Sequence, residues 1–210
     1  AINSSVLTSS LTINVLTDIT EDGTNALNQW IEEGGSGYTM TIQPADGTEK
    51  VISGAVANGM IRFNGADRVT VDGRFSGAGM YLRFRNTNTS NPTFTFINDA
   101  SNNTIQYCYV EGSTTSTTNG ILFFSTGSTT GNDNNTITQN IIRDRSDALA
   151  VPVNAIYSTG STGAFKPGAE NEKGEDLSVK KVSRVKETTI RTNKDLKTVR
   201  TNVLIDVAED

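Results

Sequence analysis

One short strand-like phrase recurs three times in this chain, each time followed by a polar turn and a second apolar alternation. The three copies are Met60-Ile61-Arg62-Phe63-Asn64, Thr93-Phe94-Thr95-Phe96-Ile97 and Gly120-Ile121-Leu122-Phe123-Phe124. A unit of short strands that returns about every 30 residues, with no long helix, is typical of a solenoid whose coils stack on each other. We therefore predict an all-β fold, a parallel β-helix of about four coils.

The spacing of the copies predicts which side chains stack. Ile61, Phe94, Leu122 and Ile156 follow one another at steps of 33, 28 and 34 residues, so we expect them to form one internal ladder. The second strands align Val71 with Ile105 and Ile137, although an alignment of Val69 with Ile105 fits equally well. The uneven steps indicate loops of variable length on a regular frame.

A paired asparagine precedes two of the second strands. Asn102-Asn103-Thr104-Ile105 and Asn134-Asn135-Thr136-Ile137 repeat almost letter for letter. Asparagine tolerates the left-handed backbone region and hydrogen-bonds its own backbone at bends, so Asn103 and Asn135 are predicted to stack at a corner of the coil. The alternative is glycosylation, because Asn3, Asn88, Asn102 and Asn134 each begin an Asn-X-Ser/Thr triplet.

Residues 1–35 are predicted to form an N-terminal cap with a short helix over residues 24–34. Ala26 and Leu27 would share one apolar face with Trp30 and Ile31, one turn later. A solenoid must cover its open end, and the only tryptophan is the residue expected to plug it. Stacking of Trp30 on a sugar is the alternative interpretation.

Charge divides the chain near residue 163. Residues 1–163 hold 8 Lys and Arg against 14 Asp and Glu, a net charge of −6, whereas residues 164–210 hold 10 against 9 and include seven lysines. We expect coils over residues 36–163, a linker over 164–176 and a strand-like segment over 177–210 that binds a partner or caps the coil. The acidic body argues against nucleic-acid binding, which needs a basic stripe.

Cysteine content and hydropathy bear on disulfide bonds and on membrane spans. The single cysteine, Cys108, excludes an internal disulfide and lies in an apolar strand-like run, where a buried thiol is expected. Apolar runs are too short to cross a bilayer, so no membrane span is predicted.

Three stretches carry a resemblance to a known family. They are Tyr38-Thr39-Met40-Thr41-Ile42-Gln43-Pro44, Ile52-Ser53-Gly54, and the run from Ile61 to Gly73, which reads Ile-Arg-Phe-Asn-Gly-Ala-Asp-Arg-Val-Thr-Val-Asp-Gly. Together they resemble the start of right-handed parallel β-helix domains, with pectin-lyase-like coils, in secreted adhesin-type surface proteins of Bacteroidetes. The resemblance covers about residues 36–163. It implies a secreted or cell-surface location and carries over no active site.

The fold that these stretches resemble also occurs in enzymes. Enzymes with pectin-lyase-like coils hydrolyse acidic polysaccharides with paired Asp and a nearby His, or cleave them with an Arg or Lys base and Ca²⁺. The chain has no histidine, so the hydrolase set is unsupported. If the chain is a lyase, its candidate residues are Arg143, Asp144, Arg145 and Asp147, or Arg83 and Arg85. Asp133 and Asp144 are candidates for a shared Ca²⁺; no other metal or cofactor is expected.

The sequence thus favours a structural and adhesive module of a larger surface protein or filament. Its partners would be other surface proteins, copies of itself or a polysaccharide, through exposed rows of Thr, Asn and Ser. Two alternatives stay open, a polysaccharide lyase acting on acidic glycans and an assembly subunit of a surface filament.

Overall fold

The computed structural model describes residues 2–35, 37–159, 192–193 and 196–199. Its body is an all-β parallel solenoid with three faces, each made of five parallel strands, so the chain completes about five turns. The expectation of a parallel β-helix is confirmed. The expected number of about four coils is too low, because two of the three strands in the first turn have only two residues and do not carry the recurring phrase.

Each turn contributes one strand to each face. The strands of sheet 1 are β2 (Leu11–Val15), β6 (Met40–Pro44), β9 (Val69–Asp72), β12 (Thr104–Gln106) and β15 (Thr136–Thr138). Those of sheet 2 are β3 (Ile19–Thr20), β7 (Lys50–Gly54), β10 (Leu82–Asn86), β13 (Cys108–Gly112) and β16 (Ile141–Asp144). Those of sheet 3 are β4 (Leu27–Asn28), β8 (Ile61–Asn64), β11 (Phe94–Ile97), β14 (Leu122–Phe124) and β17 (Ile156–Ser158).

The register of the strands places equivalent residues of successive turns side by side. Ile61 pairs with Phe94, Phe94 with Leu122 and Leu122 with Ile156 along sheet 3. Phe94 and Leu122 are fully buried, and the two isoleucines are partly buried. In sheet 1, Ile105 pairs with Val71 and Ile137, which decides between the two alignments left open above.

A column of aromatic rings fills the core behind sheet 3. Phe63, Phe96 and Phe124 occupy one register position in consecutive turns. Their ring centroids lie 5.0 and 4.4 Å apart, and the rings of Phe96 and Phe124 are nearly parallel, at 5°. Because side chains alternate across each strand, the residues between them, including Arg62, Thr95 and Phe123, lie on the outer face.

Left-handed residues turn the chain at the corner that leads into sheet 1. Arg68, Asn102 and Asn134 have φ of 61°, 59° and 53°, and each is followed by a buried residue. Asn102 and Asn134 are exposed, whereas Asn103 and Asn135 are buried. The carboxamide Nδ2 of Asn103 donates to the carbonyl of Ala66, and that of Asn135 to the carbonyl of Ala100, both over 2.8 Å, so these side chains join one turn to the previous one.

The helix predicted over residues 24–34 is wrong. Leu27–Asn28 forms β4, which pairs with β8, and Ile31–Glu32 forms β5, which pairs in parallel with β1 (Val6–Leu7). The only helical pieces in the described part of the chain are single 3₁₀ turns at Ile2–Ser4 and Glu33–Gly35. Neighbouring strands offer the backbone of these residues hydrogen-bond partners, and Leu27 packs against the core, although Ile31 stays exposed. These interactions outweigh the weak helix propensity of a short segment.

The N-terminal residues belong to the solenoid itself, and a C-terminal strand pairs beside its last turn. The first solenoid turn, β2 to β4, lies within residues 1–35, the range assigned to a cap. At the other end, β19 (Leu196–Val199) pairs antiparallel with β16 and with β18 (Thr192–Asn193). The predicted linker over 164–176 lies outside the described residues, as does the rest of the predicted segment over 177–210.

Candidate functional site

A cleft of about 520 Å³ runs along the outer face of sheet 3. Its floor is the outward row of Arg62, Thr95 and Phe123, which the strand register places in three consecutive turns. One wall comes from the loops 87–93 and 113–121, which connect sheet 2 to sheet 3. The volume lies within the range of small-molecule and oligosaccharide-sized sites.

Arg62 supplies a positive charge to the cleft. Its Nη2 donates to the carbonyl oxygen of Gly23 over 2.7 Å, which fixes the guanidinium at one end of the row. Among the described residues no carboxylate forms an ion pair with Arg62, whereas Arg68, Arg74, Arg83, Arg85, Arg143 and Arg145 are all paired. The other hydrogens of the guanidinium are therefore available to an acceptor in the cleft.

Thr95 carries an unsatisfied hydroxyl at the centre of the floor. The residue is only 4% exposed, and its Oγ1 has no hydrogen-bond partner within the described part of the chain. Gly59 packs directly against this hydroxyl and covers it, since a Cβ at residue 59 would come within 2.1 Å of Thr95 Oγ1. A buried hydroxyl without a hydrogen-bond partner lowers the stability of a fold by about 1 to 3 kcal/mol, and such groups are rare in folded proteins.

An aromatic pair continues the floor beyond Thr95. Phe123 and Tyr157 are neighbours in the register of β14 and β17, with ring centroids 6.2 Å apart and planes within 16° of parallel. Both rings are partly exposed on the outer face. Such rings offer a flat apolar surface to a ligand that combines apolar faces with polar edges.

Asparagine side chains form the wall of the cleft. Asn91 Oδ1 accepts from the backbone N–H of Asn58 over 3.0 Å, and Asn119 Nδ2 donates to the carbonyl of Ser90 over 2.9 Å. These bonds hold the carboxamides in place. Each carboxamide has more donor and acceptor positions than the contacts described here occupy.

A second cluster of charges lies on the outer face of sheet 2 and is centred on Glu111. Its side chain is fully buried and accepts from Arg85 Nε over 2.8 Å, from Arg143 Nε over 2.9 Å and from Arg83 Nη1. Burial acts to raise the pKa of Glu111, but the hydrogen bonds from Arg143 and Arg85 and the charge of Arg83 outweigh it and hold the pKa below its ordinary value. Tyr109 lies between Arg83 and Arg143, whose guanidinium carbons stand 4.6 and 5.4 Å from its ring centre.

The residues predicted for a lyase all fall in or beside this cluster. Arg143 is bound to Glu111, and Arg145 donates to the carbonyl of Thr87 over 3.1 Å and to Asp147 over 2.9 Å. Asp144 follows Arg143 on the opposite side of β16, and its Oδ1 has no hydrogen-bond partner in the described region. A proton-abstracting arginine needs a lowered pKa, whereas the hydrogen bonds that Arg83 donates to Glu49 are the main cause that raises the pKa of Arg83.

Two other candidates from the sequence, Trp30 and Cys108, are both buried. Trp30 is 4% exposed and its Nε1 donates to Glu32 over 3.0 Å, so its ring is not presented for stacking on a sugar. Cys108 is fully buried, and burial raises the pKa of its thiol. The described residues include no group of three or more His, Cys, Asp or Glu placed to hold a metal ion, and calcium binding by Asp133 and Asp144 stays a prediction. No helix among them is long and apolar enough to cross a membrane.

Comparisons of the chain with protein-family models, with curated proteins and with solved structures found no match. The geometry of the two outer faces is therefore the basis for a functional proposal.

Sequence reasoning did not find the cleft, although Arg62, Thr95 and Phe123 all stand in the recurring phrase. In each copy of the phrase, this residue stands between two apolar residues and faces outward. Aligning the three copies by their buried residues places these outward letters in one row. That alignment is the signal that could have identified the floor of the cleft.

Proposed function

We propose that this chain is a right-handed parallel β-helix module of an extracellular or cell-surface protein, with a structural and adhesive role, and that it binds glycans in the cleft on sheet 3. The observation that carries the proposal is the outward row itself, in which Arg62, without an ion pair among the described residues, and the aromatic pair of Phe123 and Tyr157 lie in line across four turns. A saccharide matches this order, because its hydroxyls need hydrogen-bond partners and its C–H faces pack on aromatic rings.

A non-catalytic role is supported by the state of the arginines on sheet 2. Arg83, Arg85 and Arg143 share the buried Glu111, and Arg145 is paired with Asp147. Three cations around one carboxylate stabilise neighbouring strands β10, β13 and β16 and are not free to accept a proton. The lyase alternative is tested by incubation with acidic glycans, where unsaturated products would raise the ultraviolet absorbance.

A glycan array probed with the full chain and its variants tests glycan binding. We expect binding by the unmodified chain and a loss of about fivefold or more for Phe123→Ala, since an aromatic contact contributes about 1 kcal/mol. Phe75→Ala is the matched control, because Phe75 is 40% exposed and lies at a turn outside the cleft. An array without any signal, together with unchanged attachment of cells that lack the module, would refute the adhesive role.

The C-terminal end of the solenoid supports a second candidate, an assembly subunit. Within the described residues, β15 and β17 are edge strands with a partner on one side only. The neighbouring loop exposes Leu149, Val151 and Val153, at 105%, 53% and 54%. Unpaired edges with apolar surroundings are suited to accept a strand from another chain. Sedimentation at increasing concentration tests this candidate, and a chain that stays monomeric throughout would argue against it.

A further inference from the structure

We propose that the outer face of sheet 1 binds the surface of an ice crystal through a row of threonines. Each of the five strands contributes one member of this row, and the members are Thr12, Thr41, Thr70, Thr104 and Thr136. The row lies on a different face from the cleft, so ice binding does not depend on glycan binding.

The strand register places these threonines side by side in successive turns. Thr12 pairs with Thr41, Thr41 with Thr70, Thr70 with Thr104 and Thr104 with Thr136. Neighbouring strands lie about 4.8 Å apart, so the row repeats one hydroxyl and one methyl group at that interval over roughly 19 Å. The branched side chain of threonine has few χ1 rotamers, which limits the positions that each hydroxyl can take.

The hydroxyls of this row are available to water. Thr12 is exposed and the other four threonines are partly exposed, since they alternate along each strand with residues that face the core. Within the described part of the chain, none of the five hydroxyls forms a hydrogen bond to another group of the protein. Their partners are therefore water molecules, held at positions that repeat from strand to strand.

The second outward row of sheet 1 is hydrogen-bonded within itself and braces the face. Gln43 Nε2 donates to Asn14 Oδ1 over 3.0 Å, and Gln106 Nε2 donates to Asp72 Oδ2 over 2.9 Å. Side-chain ladders of this kind stabilise untwisted sheets. An untwisted sheet offers the flat face that contact with a crystal surface requires.

The charge of the face indicates a neutral partner. Among the described strands of sheet 1, the only charged outward residue is Asp72, and Arg74 pairs with it over 2.6 Å. By contrast, the outward positions of sheet 2 carry Arg83, Arg85 and Glu111. Ice is neutral and presents hydrogen-bond donors and acceptors at fixed intervals, which complements an uncharged row of hydroxyls.

A crystalline polysaccharide is the alternative occupant, and the residue types argue against it. Sugar rings pack their C–H faces on aromatic side chains, and no outward position of the described sheet 1 strands holds an aromatic residue. The apolar groups beside the hydroxyls are threonine methyls. A methyl group is too small to form a platform for a sugar ring but can lie against the open lattice of ice.

Incorporation of the full chain into growing ice tests the proposal. The chain is labelled with a fluorophore on its amino groups and frozen slowly onto a cooled probe, and an unrelated labelled protein of similar size is the blank. We expect enrichment in the ice at least about tenfold over the blank, because an advancing ice front rejects proteins that do not bind it. Crystals grown in the presence of the chain should also be faceted.

Variants at the centre of the row locate the binding. Thr70→Tyr and Thr104→Tyr should each lower the enrichment about tenfold, since a ring that stands above the row separates its neighbours from a flat surface. Thr20→Tyr is the matched control, because Thr20 is exposed on β3 of sheet 2, and its enrichment should equal that of the unmodified chain. Thermal unfolding checks that each variant is folded, and tyrosine suits exposed strand positions.

A smaller change covers the case in which a tyrosine variant fails to fold. Thr104→Val removes one hydroxyl at nearly constant volume and should lower the enrichment about fivefold, the factor that one hydrogen bond supplies. Unchanged enrichment of a folded Thr104→Val variant, together with unchanged enrichment of Thr70→Tyr, would overturn the role of the row.

The other failures are distinguishable. Enrichment no greater than that of the blank would overturn ice binding and leave the proposed glycan binding intact. Equal losses in Thr20→Tyr and Thr70→Tyr would overturn the assignment to sheet 1. Co-sedimentation with crystalline cellulose or chitin that Thr70→Tyr abolishes, without enrichment in ice, would show that the face binds a polysaccharide and would overturn the proposal.

Discussion

The carboxamide oxygen of Asn135 accepts a hydrogen bond from the backbone N–H of Asn103, one turn earlier in the solenoid, over 3.0 Å. The same relation links Asn103 Oδ1 to the backbone N–H of Val69 over 2.9 Å. A side chain thus replaces a strand partner at the corner, where the backbone leaves one sheet before it enters the next. Buried backbone groups need such partners, because each one left without a hydrogen bond costs free energy.

Replacement of Asn103 by alanine should therefore destabilise the chain. The variant Asn103→Ala leaves the N–H of Val69 and the carbonyl of Ala66 without partners in a buried corner, and we expect a loss of about 2 to 4 kcal/mol in the free energy of unfolding. Asn102→Gly is the control, since Asn102 is exposed with φ of 59° and glycine adopts that conformation readily. Urea unfolding measures both, and equal losses for the two variants would contradict the assigned role of Asn103.

Glu111 should be the most sensitive charged residue of sheet 2. Glu111→Gln removes the fully buried shared anion from Arg83, Arg85 and Arg143, and we expect a loss of about 3 kcal/mol in the free energy of unfolding, because three partly buried arginines lose their common partner. Asp147→Asn is the control, as the Asp147 side chain is 50% exposed, and it should cost less than about 1 kcal/mol. Denaturant unfolding at neutral pH compares them. A Glu111→Gln variant as stable as the control would show that the cluster does not stabilise the sheet.

The same carboxylate predicts a pH dependence of stability. The folded state holds the pKa of Glu111 below its ordinary value of 4.5, so the stabilisation is complete above pH 4.5 and is lost as the pH falls through the folded pKa. The difference in unfolding free energy between the unmodified chain and Glu111→Gln should therefore shrink as the pH is lowered from 7 toward 3. Urea titrations across this range provide the measurement. A difference that grows toward low pH would mean that the folded pKa is raised.

Cys108 offers a direct probe of unfolding because it is the only cysteine. Its thiol is fully buried and burial raises its pKa, so the native chain should react with a thiol reagent at neutral pH at least a hundredfold more slowly than the unfolded chain. The reaction of 5,5′-dithiobis(2-nitrobenzoic acid) with and without guanidinium chloride measures the ratio. Rapid reaction of the native chain would place Cys108 at the surface.

The sequence predicted those parts of the fold that repeat. The alignment of Ile61, Phe94, Leu122 and Ile156 follows from recurring apolar letters, since a period of two within each strand and one turn per repeat determine which residues face the core. The helix predicted around Trp30 failed because the same apolar letters fit one helical face or two short strands. In that segment, pairing with Val6–Leu7 and with β8 selects the strands.

Contacts between different turns were harder to predict. Glu111 and Arg143 are 32 residues apart, and nothing local in either segment indicates that they meet. The outward arginines at residues 83, 85 and 143 coincide only after the turns are aligned by their buried positions. The hydroxyl of Thr95, which has no hydrogen-bond partner among the described residues, has no sequence signal at all, since its burial depends on how Gly59 of the preceding turn packs against it.

The corners of the solenoid differ in length, and this difference has a bearing on how the cleft can change. A single residue, Tyr107, joins β12 to β13, whereas the connections from sheet 2 to sheet 3 span residues 87–93, 113–121 and 145–155. The first two of these longer connections make one wall of the cleft and lie outside the strand register. Insertions or deletions in them would reshape the wall while the rows of Arg62, Thr95 and Phe123 keep their spacing. Such a frame allows the lining of the cleft to change at little cost to folding.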